Sequence, residues 1–377
     1  MLACVYDLRV GGAETSLLAE LSLIRQHGVE PSVLCLGNDT TLLPKFDAAG
    51  IPVYFVKGAS RFATARGVAR VLREQEPDLV HTLLFWPDVI IRPLARVLGF
   101  RVVTSLTNEY YGPEHRANSK YGAPGVFAAQ LADFLSARCA RRFHAISQRS
   151  ASVMSRRLWL RSSRVDVIYR GRDLAHFGRR DPARRDAARA ALGVGDETLF
   201  LCVGRQDYQK AHEVAVKAFS RLSNSRGRAR LVLAGRPGGN TATLTDALAE
   251  LGHPDNIHLV GERSDIGDLL SAADFFVMPS RFEGLGGSVV EAMALEVPLV
   301  LTDLAIFREV ADERAWFFQR DDVDDLAAVL ERCLTTPYPS GWTSDLRARV
   351  EEHFDIRGVA KDVASFYFRA AGRLSPP

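Results

Sequence analysis

Two short stretches in the second half of the chain hold residues whose types and spacing suit phosphate and sugar chemistry. Arg205 closes the apolar run Leu201-Cys202-Val203-Gly204, and Lys210 follows five residues later at the entrance to a helical pattern. A guanidinium presents a planar fork and an ammonium a point charge, a pair suited to a diphosphate whose negative charge grows as it departs. Taken alone, Arg-x4-Lys reads equally as two solvated surface cations. The second stretch, 279–294, holds Glu283 and Glu291 with seven residues between them, and Gly284, Gly286 and Gly287 in its turn. Gly286, Gly287 and Ser288 would open a helix, whose unpaired N–H groups and positive dipole end favour a phosphate. Glu283 would lie in the turn, and Glu291, at least one helical turn further on, would point back to the same crevice. One carboxylate accepting from two ribose hydroxyls and another beside a sugar ring make chemical sense of that pair.

Other motifs say less singly. Gly11-Gly12 follows an apolar run and precedes a helical pattern, so the backbone there can approach a ligand closely and the helix start can meet an anion; a tight turn without a ligand is the alternative. No glycine cluster fits GxGxxG with an acid about 20 residues on, which argues against a nicotinamide or flavin enzyme. Asp321-Asp322-Val323-Asp324-Asp325 resembles a metal motif, but it precedes Leu326-Ala327-Ala328-Val329-Leu330, where a helix start takes acidic caps. No metal and no cofactor is expected. Five cysteines, an odd count without CxxC spacing, read as reduced core residues. His81 and His144 stand at the edges of apolar runs, where a histidine is more often structural than catalytic.

The elements that must position these residues follow one repeated plan. Short apolar runs alternate with amphipathic segments over 377 residues, the pattern of parallel sheets with crossover helices in more chain than one domain uses. Strands are predicted at 2–6, 31–36, 52–56, 79–82, 102–106, 143–146 and 165–169, then at 199–203, 230–234, 257–260, 275–278, 298–301 and 315–318. The periodicity lapses between 169 and 182 into Arg-Gly-Arg-Asp and Gly-Arg-Arg-Asp-Pro, which predicts a linker. The expected domains are 1–176 and 177–355, with a last helix in 356–377 crossing back to the first. Arg205, Lys210 and Glu283 thereby fall at carboxyl ends of strands, where open α/β sheets bind ligands.

No run approaches the ~18 apolar residues of a membrane span, and residues 1–8 form no secretory core, so a cytoplasmic protein is expected. Net charge is +3, yet 15 arginines face four acids between Arg138 and Arg189. That polarity suits the inner face of an anionic membrane, with Arg156-Arg157-Leu158-Trp159-Leu160-Arg161 as an apolar patch flanked by charge. A solvated surface is the alternative, and no nucleic-acid partner is expected.

Together these motifs resemble glycosyltransferase family 4, retaining enzymes of the GT-B fold. The resemblance rests on Gly11-Gly12-Ala13-Glu14, Pro77-Asp78-Leu79-Val80-His81, Val203-Gly204-Arg205 with Lys210, Leu233-Ala234-Gly235, the Glu-x7-Glu run with its Ala292-Met293-Ala294 tail, and Pro298-Leu299-Val300 leading to Thr302-Asp303. It implies an α/β protein of two Rossmann-like, doubly wound parallel-sheet domains facing across a cleft. It also implies metal-independent hexosyl transfer from a nucleotide-diphosphate sugar, uridine favoured, to a hydroxyl of a glycan, lipid-linked or small-molecule acceptor. Arg205 and Lys210 would bind the diphosphate, Glu283 would lie near the transferred sugar, and Glu291 would hold the ribose. Gly11, Gly12, Gly235, Gly261, Arg263, Gly286, Gly287 and Ser288 complete the expected donor-binding set. His81, Trp86, Asn108, Tyr110 and His144 would meet the acceptor in the first domain.

Three positions depart from the family pattern. Thr107-Asn108 replaces a frequent histidine, Ala305-Ile306-Phe307-Arg308 replaces a Gly-Gly loop, and Ala211 replaces a glycine. Two alternatives stay open: a catalytically silent sugar-nucleotide-binding subunit, suggested by Thr107 and the 305–308 loop, and a sugar-nucleotide hydrolase or epimerase on the same fold.

Overall fold

A computed structural model describes residues 1–56, 58, 60–119, 121–222 and 228–373. The chain divides into two units, the first made of Met1–Arg172 with the segment from His353 onward, the second of Asp173–Glu352. The sequence had suggested divisions after 176 and 355.

The first unit is a parallel sheet of β1 (Leu2–Val5), β2 (Ser32–Cys35), β3 (Val53–Phe55), β4 (Val80–Leu83), β5 (Val102–Leu106), β6 (Arg142–Ala145) and β7 (Val165–Val167), in the order β3-β2-β1-β4-β5-β6-β7. Helices on both faces bury the central strands, so β1 reads Leu-Ala-Cys-Val without alternation. β4 and β5 are equally buried but carry polar residues, and these satisfy one another: the Thr82 and Thr104 hydroxyls lie 2.8 Å apart. Arg92, fully buried, pairs with Asp88 at 2.9 Å and Asp133 at 2.6 Å and donates to Thr104 at 2.8 Å. The helix Gly12–Ile24 runs into a 3-10 turn, Arg25–His27, and stops at Gly28, whose φ of 76° is the expected left-handed cap. The last helix, Ile356–Ala371, buries Val359, Val363, Phe366, Tyr367 and Ala370 in the same core as Leu17, Leu21 and Ile24. Residues 374–377 of the expected closing segment lie outside the described residues.

The second unit repeats the plan with β8 (Thr198–Val203), β9 (Ala229–Ala234), β10 (Ile257–Gly261), β11 (Phe275–Met278), β12 (Leu299–Thr302) and β13 (Trp316–Phe318), all parallel, in the order β10-β9-β8-β11-β12-β13. Strand order reverses between β1 and β4 in one sheet and between β8 and β11 in the other. At such a switch point the connections leave in opposite directions and open a crevice beyond the carboxyl ends of the two strands.

Candidate functional site

In the second unit the crevice lies between the loop after β8 and the loop after β11. The first loop tightens into a 3-10 turn, Tyr208–Lys210, that aims Lys210 across to the second. Its Nζ donates to Glu283 Oε1 at 2.6 Å, and Ser280 Oγ donates to the same oxygen at 3.0 Å. The more exposed Arg205 pairs with Asp207. Arg281 stitches the two loops together. Its backbone N–H donates to the Gln209 carbonyl at 2.8 Å, and its guanidinium donates to the Tyr208 carbonyl, Glu213 and Asp321 at 2.8, 2.8 and 2.7 Å while lying over the Tyr208 ring. Lys210 and Glu283, 73 residues apart, therefore meet on a braced frame.

Glycines let backbone line this crevice. Gly286 has a φ of 82°, a left-handed conformation that begins the helix Gly287–Ala294, and a Cβ there would come 2.7 Å from Phe307 Cε1. A Cβ on Gly235 would fall 1.8 Å from the Gly204 carbonyl oxygen, so the ends of β8 and β9 run together only because that side chain is missing. Gly261 at the next strand differs: a Cβ there would meet nothing within 4 Å, but its φ is 69°, and its carbonyl accepts from the Gly235 N–H at 2.7 Å. Ser288 Oγ donates back to the Val203 carbonyl at 3.4 Å, linking the helix start to the end of β8. Glu291 lies within that helix, partly exposed. Arg263 stands apart, held by Asp265 through two bonds of 2.8 and 2.5 Å beyond β10, two strands from β8.

In the first unit the two histidines singled out in the sequence lie in the core. His81 and His144 are buried and joined in one chain of hydrogen bonds: Tyr367 Oη to His81 Nδ1 at 2.6 Å, His81 Nε2 to Ser105 Oγ at 2.8 Å, Ser105 Oγ to His144 Nδ1 at 3.3 Å, and His144 Nε2 to the Ile168 carbonyl at 2.8 Å. Burial holds His81 well below the usual imidazole range and pushes His144 down to about 4. Neutral rings satisfy this chain, with His144 Nε2–H donating to the carbonyl and its Nδ1 accepting from Ser105. Every ring nitrogen is thus used internally. Asn108 Oδ1 accepts from the Glu109 N–H at 2.8 Å, and the Tyr110 hydroxyl lies 3.3 Å from Thr107 Oγ1.

Trp86 is exposed and lines a cavity of about 1000 Å³ with Tyr6, Asp7, Asn38, Asp39 and Thr64. This cavity lies beyond the carboxyl ends of β1, β2 and β3, beside the helix that follows β4. Its carboxylates and Asn38 went unremarked in the sequence, although Asp7 and Asn38-Asp39 directly follow two predicted strand ends. Gly37 makes room for Asp7: a Cβ there would lie 1.9 Å from Asp7 Oδ1. Gly11 and Gly12 also belong to this unit, Gly11 as the extended N-cap of the first helix, while a Cβ on Gly12 would meet nothing within 4 Å.

The acidic run at 321–325 is a cap. Asp322 accepts from the Asp324 and Asp325 N–H groups at 3.0 and 2.9 Å and opens the helix Val323–Thr335. Cys4, Cys35, Cys202 and Cys333 are buried and free, and Cys139 is partly exposed and free. The basic run 138–189 spans the boundary between the two units, and much of it is internally bonded. Arg142 pairs with Asp166, Arg149 with Glu109, and Arg185 and Arg189 with Asp274.

Comparison with known proteins places the chain. Residues 184–353 match the model for glycosyl transferases group 1, and residues 10–176 match that for Glycosyltransferase Family 4. The chain belongs to glycosyltransferase family 4. It is 32% identical over 214 residues to the lipopolysaccharide core biosynthesis mannosyltransferase LpsB of Rhizobium meliloti (strain 1021), a match covering 53% of this chain and 60% of that protein. It is 35% identical over 145 residues to a D-inositol 3-phosphate glycosyltransferase of Mycobacterium tuberculosis (strain F11), covering 37% of this chain and 29% of that one. Among solved structures, Anabaena Alr3699/HepE in complex with UDP-glucose superposes with a TM-score of 0.85 at 21% identity over 98% of this chain and 99% of that one. WaaG, a glycosyltransferase involved in lipopolysaccharide biosynthesis, gives a TM-score of 0.74 at 19% identity over 97% and 99%. The shared fold is GT-B.

Two of the three departures from the family pattern have visible local consequences. Ala211 adopts φ 50°, ψ 39°, the left-handed region where a glycine is at ease. Residues 305–308 begin the helix Ala305–Ala311, with Phe307 beneath Gly286 and Arg308 bonded twice to Asp303 at 2.6 and 3.0 Å. The substituted loop thus underpins the donor-side glycine turn.

Proposed function

We propose that this chain transfers a hexosyl unit, with retention, from a nucleoside-diphosphate sugar to an acceptor hydroxyl, without a metal. The observation that carries the reading is the β8/β11 crevice, where Arg205 and Lys210 stand beside a helix start opened by Gly286 and Gly287. The acceptor oxygen forms its bond to the anomeric carbon as the bond from that carbon to the diphosphate breaks, and the leaving phosphate takes the acceptor's proton. Arg205 and Lys210 offset the charge that gathers on the diphosphate, exchanging Asp207 and Glu283 for phosphate oxygens. Glu283 then faces the transferred sugar and Glu291 the ribose. A uridine donor is supported by the structural relative described with UDP-glucose bound, and a glycan acceptor by the mannosyltransferase named for lipopolysaccharide core biosynthesis. The cavity beyond β1, β2 and β3, with an aromatic face and three carboxylate or amide side chains, suits such a hydroxyl-rich acceptor.

Among the described residues no helix is long and apolar enough to cross a membrane. The test is turnover of UDP-sugars with excess chelator present. Wild type should be unaffected by chelator, and Arg205→Ala should lose at least ~100-fold, about 2.7 kcal/mol of transition-state stabilisation. An unchanged Arg205→Ala rate, or a strict metal requirement, would overturn the proposal.

A further inference from the structure

The loops after β1 and β2 both line the cavity of about 1000 Å³ in the first unit, and backbone hydrogen bonds lace them together. The Gly37 N–H donates to the Tyr6 carbonyl at 2.5 Å, the Leu8 N–H to the Asp39 carbonyl at 3.0 Å, and the Leu42 N–H to the Leu8 carbonyl at 2.8 Å. On this frame the Asp7 carboxylate is fixed by one oxygen only. Its Oδ1 accepts from the Asp39 N–H at 3.3 Å, and among the described residues Asp7 pairs with no cation. The Asp39 carboxylate beside it accepts from the Thr41 N–H and hydroxyl at 3.0 and 2.6 Å. The loop after β4 supplies an aromatic surface. Leu84 has φ 69° and ψ 165°, a region that is essentially glycine's, and this turn starts the helix Phe85–Val97 with Trp86 on the cavity. Such backbone strain persists where the surroundings over-determine it, and it gathers at ligand clamps. Trp86 and Tyr6 are each 43% exposed, and Phe85 props Trp86 edge-on with ring centroids 5.3 Å apart.

An open aromatic face and a carboxylate that can only accept suit the two sides of a sugar ring. The ring offers an apolar C–H face to the first and neighbouring hydroxyl donors to the second. A phosphate on that ring would instead bring acceptor oxygens and negative charge beside Asp7 and Asp39, and like charges so placed repel. Among the described residues the lining holds no Lys or Arg to offset that repulsion. We propose that this cavity binds an uncharged pyranose as the acceptor sugar and rejects a phosphorylated one, with Asp7 as the residue that sets the choice. The inference rests on the reading of this cavity as the acceptor site, and it adds the charge class of what enters. Asp7 accepts from two adjacent hydroxyls, while Trp86 covers a C–H face and is indifferent to charge. Site shape and electrostatics thereby divide the work, the ring giving affinity and the carboxylate giving selectivity.

The experiment is a ligand-observed NMR titration of the full chain, with UDP present. The probes are the methyl α-glycopyranosides of glucose, mannose and galactose, and the 6-phosphates of the same three glycosides. Wild type should bind at least one glycoside at least ~10-fold more tightly than its 6-phosphate. Asp7→Asn should bring the two to within ~3-fold of each other, because the repelling charge is gone. Trp86→Ala should weaken both by a similar factor of at least ~10, and both variants should keep the wild-type melting midpoint. A 6-phosphate that binds wild type as tightly as its glycoside, an undiminished preference in Asp7→Asn, or no binding of any probe to wild type would overturn the proposal. The expected binding preferences combined with wild-type turnover of UDP-sugars in both variants would show the acceptor reading, and not the charge preference, to be at fault.

Discussion

The two units put the same architecture to different electrostatic uses, and two glutamates make the contrast plain. Glu20 in the first unit and Glu283 in the second are each 6% exposed. Burial pushes Glu20 up to about 7, against the opposing pull of the nearby Arg170 charge. Glu283 instead holds a direct bond from Lys210 and another from Ser280. The polar chain from Tyr367 to the Ile168 carbonyl is likewise closed on itself, whereas Arg205 and Lys210 are held by carboxylates that, in the proposed function, a diphosphate replaces. A buried polar group satisfied by its neighbours makes structure, and a cation held by an exchangeable partner makes a binding site.

The largest effect should come from breaking the exchangeable pair. Lys210→Ala leaves Glu283 buried without its cation and should cost about 3–5 kcal/mol in denaturant unfolding. Adding Glu283→Gln should restore most of that stability while turnover stays at least ~100-fold down. Recovery of both together would show the pair to be structural only.

Glu20 should respond in the opposite sense. Between about 4.5 and 7 the folded state keeps a proton that the unfolded chain has released, so the wild type loses stability as pH rises through that window. Glu20→Gln lacks this loss and should be more stable than wild type above pH 7 by on the order of 3 kcal/mol, with the difference vanishing below pH 4.5. Thermal midpoints of the two proteins that stay parallel across pH 4 to 8 would contradict the assignment.

A smaller effect is expected at the donor-side turn. Gly286→Ala forces a side chain into a left-handed conformation at about 1–2 kcal/mol and presses a methyl group on Phe307. UDP affinity should fall with it, and unchanged affinity in a calorimetric titration would mean that the start of the helix Gly287–Ala294 does not contact the nucleotide.

Most of this frame was legible in the sequence. All 13 predicted strands are present, with ends displaced by at most two residues, because parallel strands buried on both faces leave unbroken apolar runs. The 321–325 cap was legible too, since the acids directly precede a helical pattern. The histidines were not, because a residue ending a strand can face either a crevice or a core. For His81 the deciding partner, Tyr367, lies 286 positions away. Arg281 escaped notice for the same reason, its ties to residues 208, 209, 213 and 321 existing only after folding. Within the basic run 138–189, the pairs Arg142–Asp166, Arg149–Glu109 and Arg189–Asp274 could not be read from the sequence, because they too exist only after folding.

The central claim, that the β8/β11 crevice grips a diphosphate, is tested most directly by calorimetric titration of UDP and of uridine into wild type and Arg205→Ala. The account predicts that the substitution weakens UDP at least ~10-fold, about 1.4 kcal/mol, and leaves uridine affinity unchanged. Equal UDP affinity in the two proteins, or an equal loss for UDP and uridine, would contradict it.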